Sequence, residues 1–184
     1  MTDDPDAALV LECRAGDRRA FDRLLARYQR PIFNAAYRIL NHREDATDVT
    51  QTAFLRAYEH FDRYDPGQRF FSWIYRIAVN EALDVSNGRR RNESVPEAGS
   101  ASELASDRPG PERVAQDEQS DTDLQAALME LPVDYRTLIV LKHVQDCSYE
   151  EIGAILECPL KTVKSRLFTA RQALREVLLK RGWA

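Results

Sequence analysis

Six residues near the end of the chain have the types and spacing to recognise duplex DNA. Lys161, Lys164, Ser165, Arg166, Phe168 and Arg171 lie off a stripe made by Val163, Leu167, Ala170, Leu174 and Val177. That stripe recurs at steps of four, three, four and three, so it buries one face of a helix and leaves the six on the others. A helix of this kind fits the major groove of DNA, where Lys, Arg and Ser can bond base edges and phosphates.

The stretch before this helix explains how it is presented. Ser148-Tyr149-Glu150-Glu151 is a capping box, a hydroxyl three residues ahead of a carboxylate. Ile152, Ile155 and Leu156 then form a short apolar face, and Pro159 breaks the pattern because it lacks an amide donor. Cap, short helix, proline-marked turn and long helix in that order read as a helix-turn-helix. A hairpin with a solvated basic face is the bland alternative.

A second cluster mixes aromatics with cations. From Arg69 the chain reads Arg-Phe-Phe-Ser-Trp-Ile-Tyr-Arg-Ile-Ala-Val-Asn, and the segment closes on Arg89-Arg90-Arg91. Phe70, Ile74, Ile77 and Ala78 make a core stripe. Trp73, Tyr75, Arg76 and Asn80 cannot all join it. Aromatics beside arginines offer stacking surfaces for unpaired bases, with cations for the backbone. Phe70 and Trp73 fit that role or simply finish a small core, and Arg76 and Asn80 fit it better.

These groups need helices to position them. The first module spans residues 6–91. It has a short helix near Ala7–Arg14, a long one from Arg18 to Leu40 with Pro31 inside it as an expected kink, and a third from Glu44 to Phe61. A turn at Asp65-Pro66-Gly67 precedes a fourth helix from Phe70 to Ser86, capped near Asn87-Gly88. Residues 92–122 carry Pro96, Pro109 and Pro111 with many Ser, Glu and Asp, and read as a flexible acidic tether. Residues 123–178 form the second module, in which helices through Leu124–Leu131 and Tyr135–Leu141 support the helix-turn-helix. The fold class is all-α, two small helical modules on a linker.

Bulk numbers agree. The 184 residues suit one domain or two small ones, and a net charge of −4 conceals segregated charge. Seven basic residues face only Glu176 from Lys161 onward, while nine acidic residues face Arg108 and Arg113 between Asn92 and Asp123. Cys13, Cys147 and Cys158, with His42, His60 and His143, match no zinc or disulfide spacing, so no metal or cofactor is expected. With no signal-peptide pattern and no span-length apolar run, a reducing, cytoplasmic location without membrane insertion is expected.

Several of these segments together resemble the extracytoplasmic-function (ECF) group of bacterial RNA polymerase sigma factors, with an envelope-stress-like character. The likeness rests on the run from Asp45 to Tyr58 (DATDVTQTAFLRAY), on Phe71–Asn80, on Leu131-Pro132, on Ser148–Ile152 and on Thr162–Leu167. It implies a subunit that directs core RNA polymerase to promoters and helps melt them. Residues 6–91 would be sigma region two. Asp45, Asp48, Gln51, Phe54 and Leu55 would grip the polymerase, and Phe70, Trp73, Arg76 and Asn80 would read the melted minus-ten strand. Residues 123–178 would be region four, with Lys164, Ser165 and Phe168 on minus-thirty-five bases and Lys161, Thr162, Arg166 and Arg171 on phosphates. An anti-sigma partner is implied as well.

One departure stands out. Thr47 and Thr52 occupy positions where the family often has glutamate. Either they are neutral tolerances, or phosphorylation supplies the missing charge. An autonomous helix-turn-helix regulator is the alternative function, though it leaves the aromatic–basic helix unexplained. A helical enzyme lacks any clustered nucleophile and base.

Overall fold

The computed structural model describes residues 6–93 and 114–183, and every regular element among them is helical. The first module holds α1 (Ala7–Arg14), α2 (Arg18–Leu40), α3 (Arg43–Glu59), a 3₁₀ turn (Phe61–Arg63) and α4 (Phe70–Glu93). The second holds α5 (Val114–Met129), α6 (Val133–Ile139), a π turn (Val140–Val144), α7 (Tyr149–Ile155) and α8 (Leu160–Lys180). Asp17 caps α2 by accepting from the Arg19 amide at 2.8 Å, and Asn41 ends it in the left-handed region at φ 51°. Asn tolerates that conformation because its short polar side chain costs little there.

Two boundaries differ from the sequence expectation. The helix α4 runs through Asn87-Gly88 to Glu93 instead of capping there, and Gly88 does not take a positive φ. A lone glycine costs a helix only about 1 kcal/mol, which the continuing helix absorbs. The expected tether of 92–122 is also shorter, because α5 begins at Val114. Residues 114–122 hold no Pro or Gly, so a helix is allowed, but the apolar stripe that betrays it starts only at Leu124. Residues 94–113 lie outside the described residues.

An aromatic cluster holds the first module together. Phe61 stacks on Phe70 at 6.2 Å and tilts against Trp73 at 5.9 Å, while Tyr64 meets Trp73 edge-on at 5.4 Å. Tyr28 adds its ring to Phe70 from α2 at 5.5 Å. The Asp65-Pro66-Gly67 turn closes as expected, with the Gly67 amide donating to Asp65 Oδ1 at 2.8 Å.

In the second module α8 buries Val163, Leu167 and Ala170 against α6 and α7. The capping box forms: Glu151 N donates to Ser148 Oγ at 3.1 Å, and Ser148 N to Glu151 Oε2 at 2.8 Å. Gly153 lets the turn close, since a Cβ there would sit 3.0 Å from the Cys158 carbonyl oxygen.

The two modules pack on each other. Arg136, buried in α6, donates Nε to Leu128 O at 2.9 Å and Nη2 to Met129 O at 3.1 Å and Leu131 O at 3.0 Å. Its Nη1 reaches Ile39 O at the end of α2. One side chain therefore caps α5 and ties it to the first module, meeting carbonyls that a helix end leaves without partners. Gln125 does the same for Arg38 O, donating at 3.2 Å.

Replacing Arg136 with Met keeps the bulk and strands these acceptors. Chemical denaturation should show a loss of about 3 kcal/mol or more, since unmet buried polar groups cost about 1–3 kcal/mol each. Unchanged stability would contradict the role assigned to this guanidinium.

Candidate nucleic-acid and polymerase interfaces

The helix α8 presents its polar residues as the stripe requires. Lys161, Lys164, Phe168 and Arg171 follow one another at steps of three, four and three along an exposed face, with Ser165 and Arg166 exposed beside them. Thr162 is half-buried at the edge. Phe168 is 65% exposed, a large apolar ring in water with no core to explain it. Ser165 Oγ donates to Thr162 O at 3.1 Å, which leaves its lone pairs available to a partner. Arg171 Nε donates to His143 Nε2 at 3.2 Å. Burial, with help from the Arg171 and Lys142 charges, holds His143 below the usual imidazole range, so it stays a neutral acceptor at pH 7.

The aromatic–basic helix divides differently from its sequence reading. Phe70 is wholly buried and Trp73 only 6% exposed, both inside the aromatic cluster. Their rings complete the core, so in this conformation neither offers a face to a base, which corrects that expectation. Tyr75 is buried too, donating its hydroxyl to Gln145 Oε1 across the module boundary at 2.7 Å. Arg76 is half-buried and Asn80 exposed. The structure adds Arg69, which the sequence reading passed over because it stands one residue before the helix.

Both arginines are engaged by the second module. Arg69 pairs with Glu151, the same residue that caps α7, and Arg76 pairs with Glu157 at 2.9 Å. Arg38 of α2 pairs with Asp121 of α5. In all three pairs the first module supplies the cation and the second the carboxylate. Carboxylates of the second module therefore cover these cations of the first, and the basic face of α8 remains exposed.

The acidic helix α3 also divides. Asp48, Gln51 and Leu55 share an exposed face with Glu44, at steps of four, three and four, and Leu55 is 58% exposed. Phe54 is buried with its ring edge-on to Phe21 at 6.2 Å, so it braces the helix from behind and cannot touch a partner as expected. Asp45 is half-buried and paired with Arg89 of α4, and its amide donates to His42 Nδ1 at 3.3 Å. Thr47 and Thr52 are half-buried, and Thr47 Oγ1 donates back to Arg43 O at 2.9 Å.

An all-helical pair of modules with a helix-turn-helix in the second defines a class that comparison with known proteins makes specific. Residues 24–93 match the model for sigma-70 region 2, and residues 121–174 match sigma-70 region 4. The chain is 34% identical to the RNA polymerase sigma-H factor of Pseudomonas aeruginosa, over 97% of this chain and 96% of that one. It is 36% identical to the ECF RNA polymerase sigma-E factor of Escherichia coli K12, over 92% of each. The solved sigma factor RpoE of Bartonella quintana, in complex with the anti-sigma factor NepR, superposes with a TM-score of 0.66 at 26% identity, over 86% of this chain and 96% of that one. The chain belongs to the ECF group of the sigma-70 family and is an RNA polymerase sigma factor. No helix among the described residues is long and apolar enough to cross a membrane.

The cross-module pairs carry an expected outcome. Glu151 also caps α7, so Glu157→Gln is the cleaner variant. It should raise the affinity of the free chain for a labelled single-stranded minus-ten oligonucleotide by a few-fold, read by fluorescence anisotropy. Raised salt should narrow the difference between variant and parent, because salt weakens exposed pairs. An unchanged affinity would show that Arg76 is not masked by Glu157.

Proposed function

We propose that α8 reads the minus-thirty-five element as duplex, that Arg69, Arg76 and Asn80 of α4 and its preceding loop engage the melted minus-ten strand, and that Asp48, Gln51 and Leu55 of α3 hold core polymerase. The observation that carries this reading is the exposed row Lys161, Lys164, Phe168 and Arg171 on a helix whose opposite face is core. Lys164 and Phe168 suit base edges and thymine methyls, and Arg171 suits a phosphate. The chain acts in the cytoplasm, without catalysis or cofactor, as part of a polymerase holoenzyme. An anti-sigma protein is a further partner, supported by the likeness to a sigma factor solved with one.

Run-off transcription with purified core polymerase on a promoter library tests the reading. Lys164→Ala should relax preference at one position, worth about 1–3 kcal/mol. Arg171→Ala should weaken all promoters alike and lower the salt slope by about one unit. Equal loss on every promoter for both variants would remove the base-reading role of Lys164.

The α3 surface carries one more proposal. Thr47 and Thr52 flank the exposed face, where a phosphate would add about −1.5 to −2 charges for basic groups on the polymerase. Thr47→Glu or Thr52→Glu should then bind core polymerase more tightly, by about 0.5 kcal/mol or more at low salt, in a titration by anisotropy. If neither variant gains affinity, the threonines are neutral replacements.

A further inference from the structure

We propose that His143 is a positioning residue for Arg171: its neutral imidazole holds one edge of the guanidinium without cancelling the charge, and so directs the two terminal nitrogens toward the duplex. The inference rests on the reading of α8 as the duplex-binding helix and of Arg171 as one of its phosphate contacts. It adds to that reading the group that sets the direction of the cation.

The contact joins two elements. His143 stands on the π turn and Arg171 midway along α8. Arg171 Nε donates to His143 Nε2 at 3.2 Å. An imidazole nitrogen that accepts carries no proton, so the ring is neutral with its proton on Nδ1. The guanidinium is planar, so engaging Nε fixes its plane. The far edge, Nη1 and Nη2, is left for a bidentate pair of oxygens.

A neutral partner sets Arg171 apart. Arg38, Arg69, Arg76 and Arg181 pair with Asp121, Glu151, Glu157 and Glu130. Each carboxylate holds its arginine and offsets the charge. Among the described residues no carboxylate pairs with Arg171. Its full charge therefore remains for a polyanion.

The backbone and the surroundings of His143 both support this role. Gln145 N donates to Val140 O at 3.0 Å, a five-residue step in place of the usual four. Such turns are rare and occur often at functional sites. Arg171 and Arg175 of α8 line one groove with His143, Leu124 and Leu128 of α5 line it too, and Lys142 flanks the imidazole on its own turn. None of these groups is anionic. Burial first, then the charges of Arg171 and Lys142, disfavours a proton on the ring. Acidification would remove the acceptor and add a cation beside Arg171, which would release the guanidinium.

The test uses the full chain assembled with core polymerase and a labelled minus-thirty-five duplex selected from the promoter library, read by anisotropy. His143→Ala should weaken binding by about threefold, the scale of one hydrogen bond. His143→Gln keeps a neutral acceptor and should restore most of the parent's affinity. His143→Glu keeps the bond but cancels the charge, so it should lower the salt slope by about one unit. The double variant His143→Ala, Arg171→Ala should bind no more weakly than Arg171→Ala alone. From about pH 7.5 to about pH 5.5 the parent should lose affinity relative to His143→Gln, as the imidazole takes up a proton. Circular dichroism confirms that each variant is folded.

Parent-like affinity in folded His143→Ala overturns the positioning role. Additive losses in the double variant overturn it as well, because His143 would then act apart from Arg171. So does a parent that gains affinity over His143→Gln on acidification, since the imidazolium would itself be the contact. Arg171→Ala separates these failures from failure of the α8 reading. If it weakens duplex binding while His143→Ala does not, only the positioning role falls. If Arg171→Ala has no effect, its phosphate assignment falls and takes the proposal with it.

Discussion

Arg136 sits at the point where the two modules and the ends of α2 and α5 meet. Its guanidinium is buried, which pulls its pKa below the ordinary arginine value, and four backbone carbonyls receive its protons. The last carbonyls of a helix have no partners of their own. Here the end of α5 and the end of α2 share one donor group, and Gln125 meets the adjacent carbonyl of Arg38. The relative placement of the modules is therefore fixed by polar groups that neither module can satisfy alone. Which surfaces of the molecule are open depends on that placement.

With the modules docked, charge is distributed unevenly between the two basic surfaces. The arginines of the first module face carboxylates of the second, and the basic row of α8 faces solvent. The ion pairs are at least partly exposed, and such pairs contribute little because water and salt screen them. The buried contacts of Arg136 contribute more, because an unmet carbonyl in the interior is costly. Separation of the modules is thus opposed mainly by the buried arginine, while the ion pairs decide which surface is masked. A polyanion reaching these arginines would compete with the carboxylates on equal chemical terms, whereas Asp48, Gln51 and Leu55 of α3 take no part in the cross-module pairs.

The aromatic residues show how burial reassigns chemistry. Phe70, Trp73 and Tyr75 stand beside arginines in sequence, which suits stacking on bases. Yet Phe61 and Tyr64, on the segment between α3 and α4, fold under the same helix and enclose Phe70 and Trp73. Tyr75 is covered by the second module, and burial raises its hydroxyl pKa far above the usual phenol range, so it serves as a neutral donor to Gln145. What remains outside the aromatic core is cationic and polar: Arg69, Arg76 and Asn80. Phe54 repeats the lesson on α3, where a residue next to the exposed Leu55 turns its ring inward to Phe21.

The sequence by itself determined the elements that depend on near neighbours. A capping box, a proline break and a stripe at steps of three and four are local, so the helix-turn-helix, α1 and α2 were legible, and so was the open face of α8. The family was legible for the same reason, since its motifs are contiguous runs. The start of α5 was not, because no apolar stripe marks residues 114–122, and the passage of α4 through Gly88 was not, because a glycine signals a stop without enforcing one. Only the tertiary structure decided which members of a mixed aromatic–basic helix are core, that Arg89 occupies Asp45, and that Glu151 and Glu157 cover Arg69 and Arg76. Those facts join residues tens of positions apart, and no period or local propensity encodes a contact of that range.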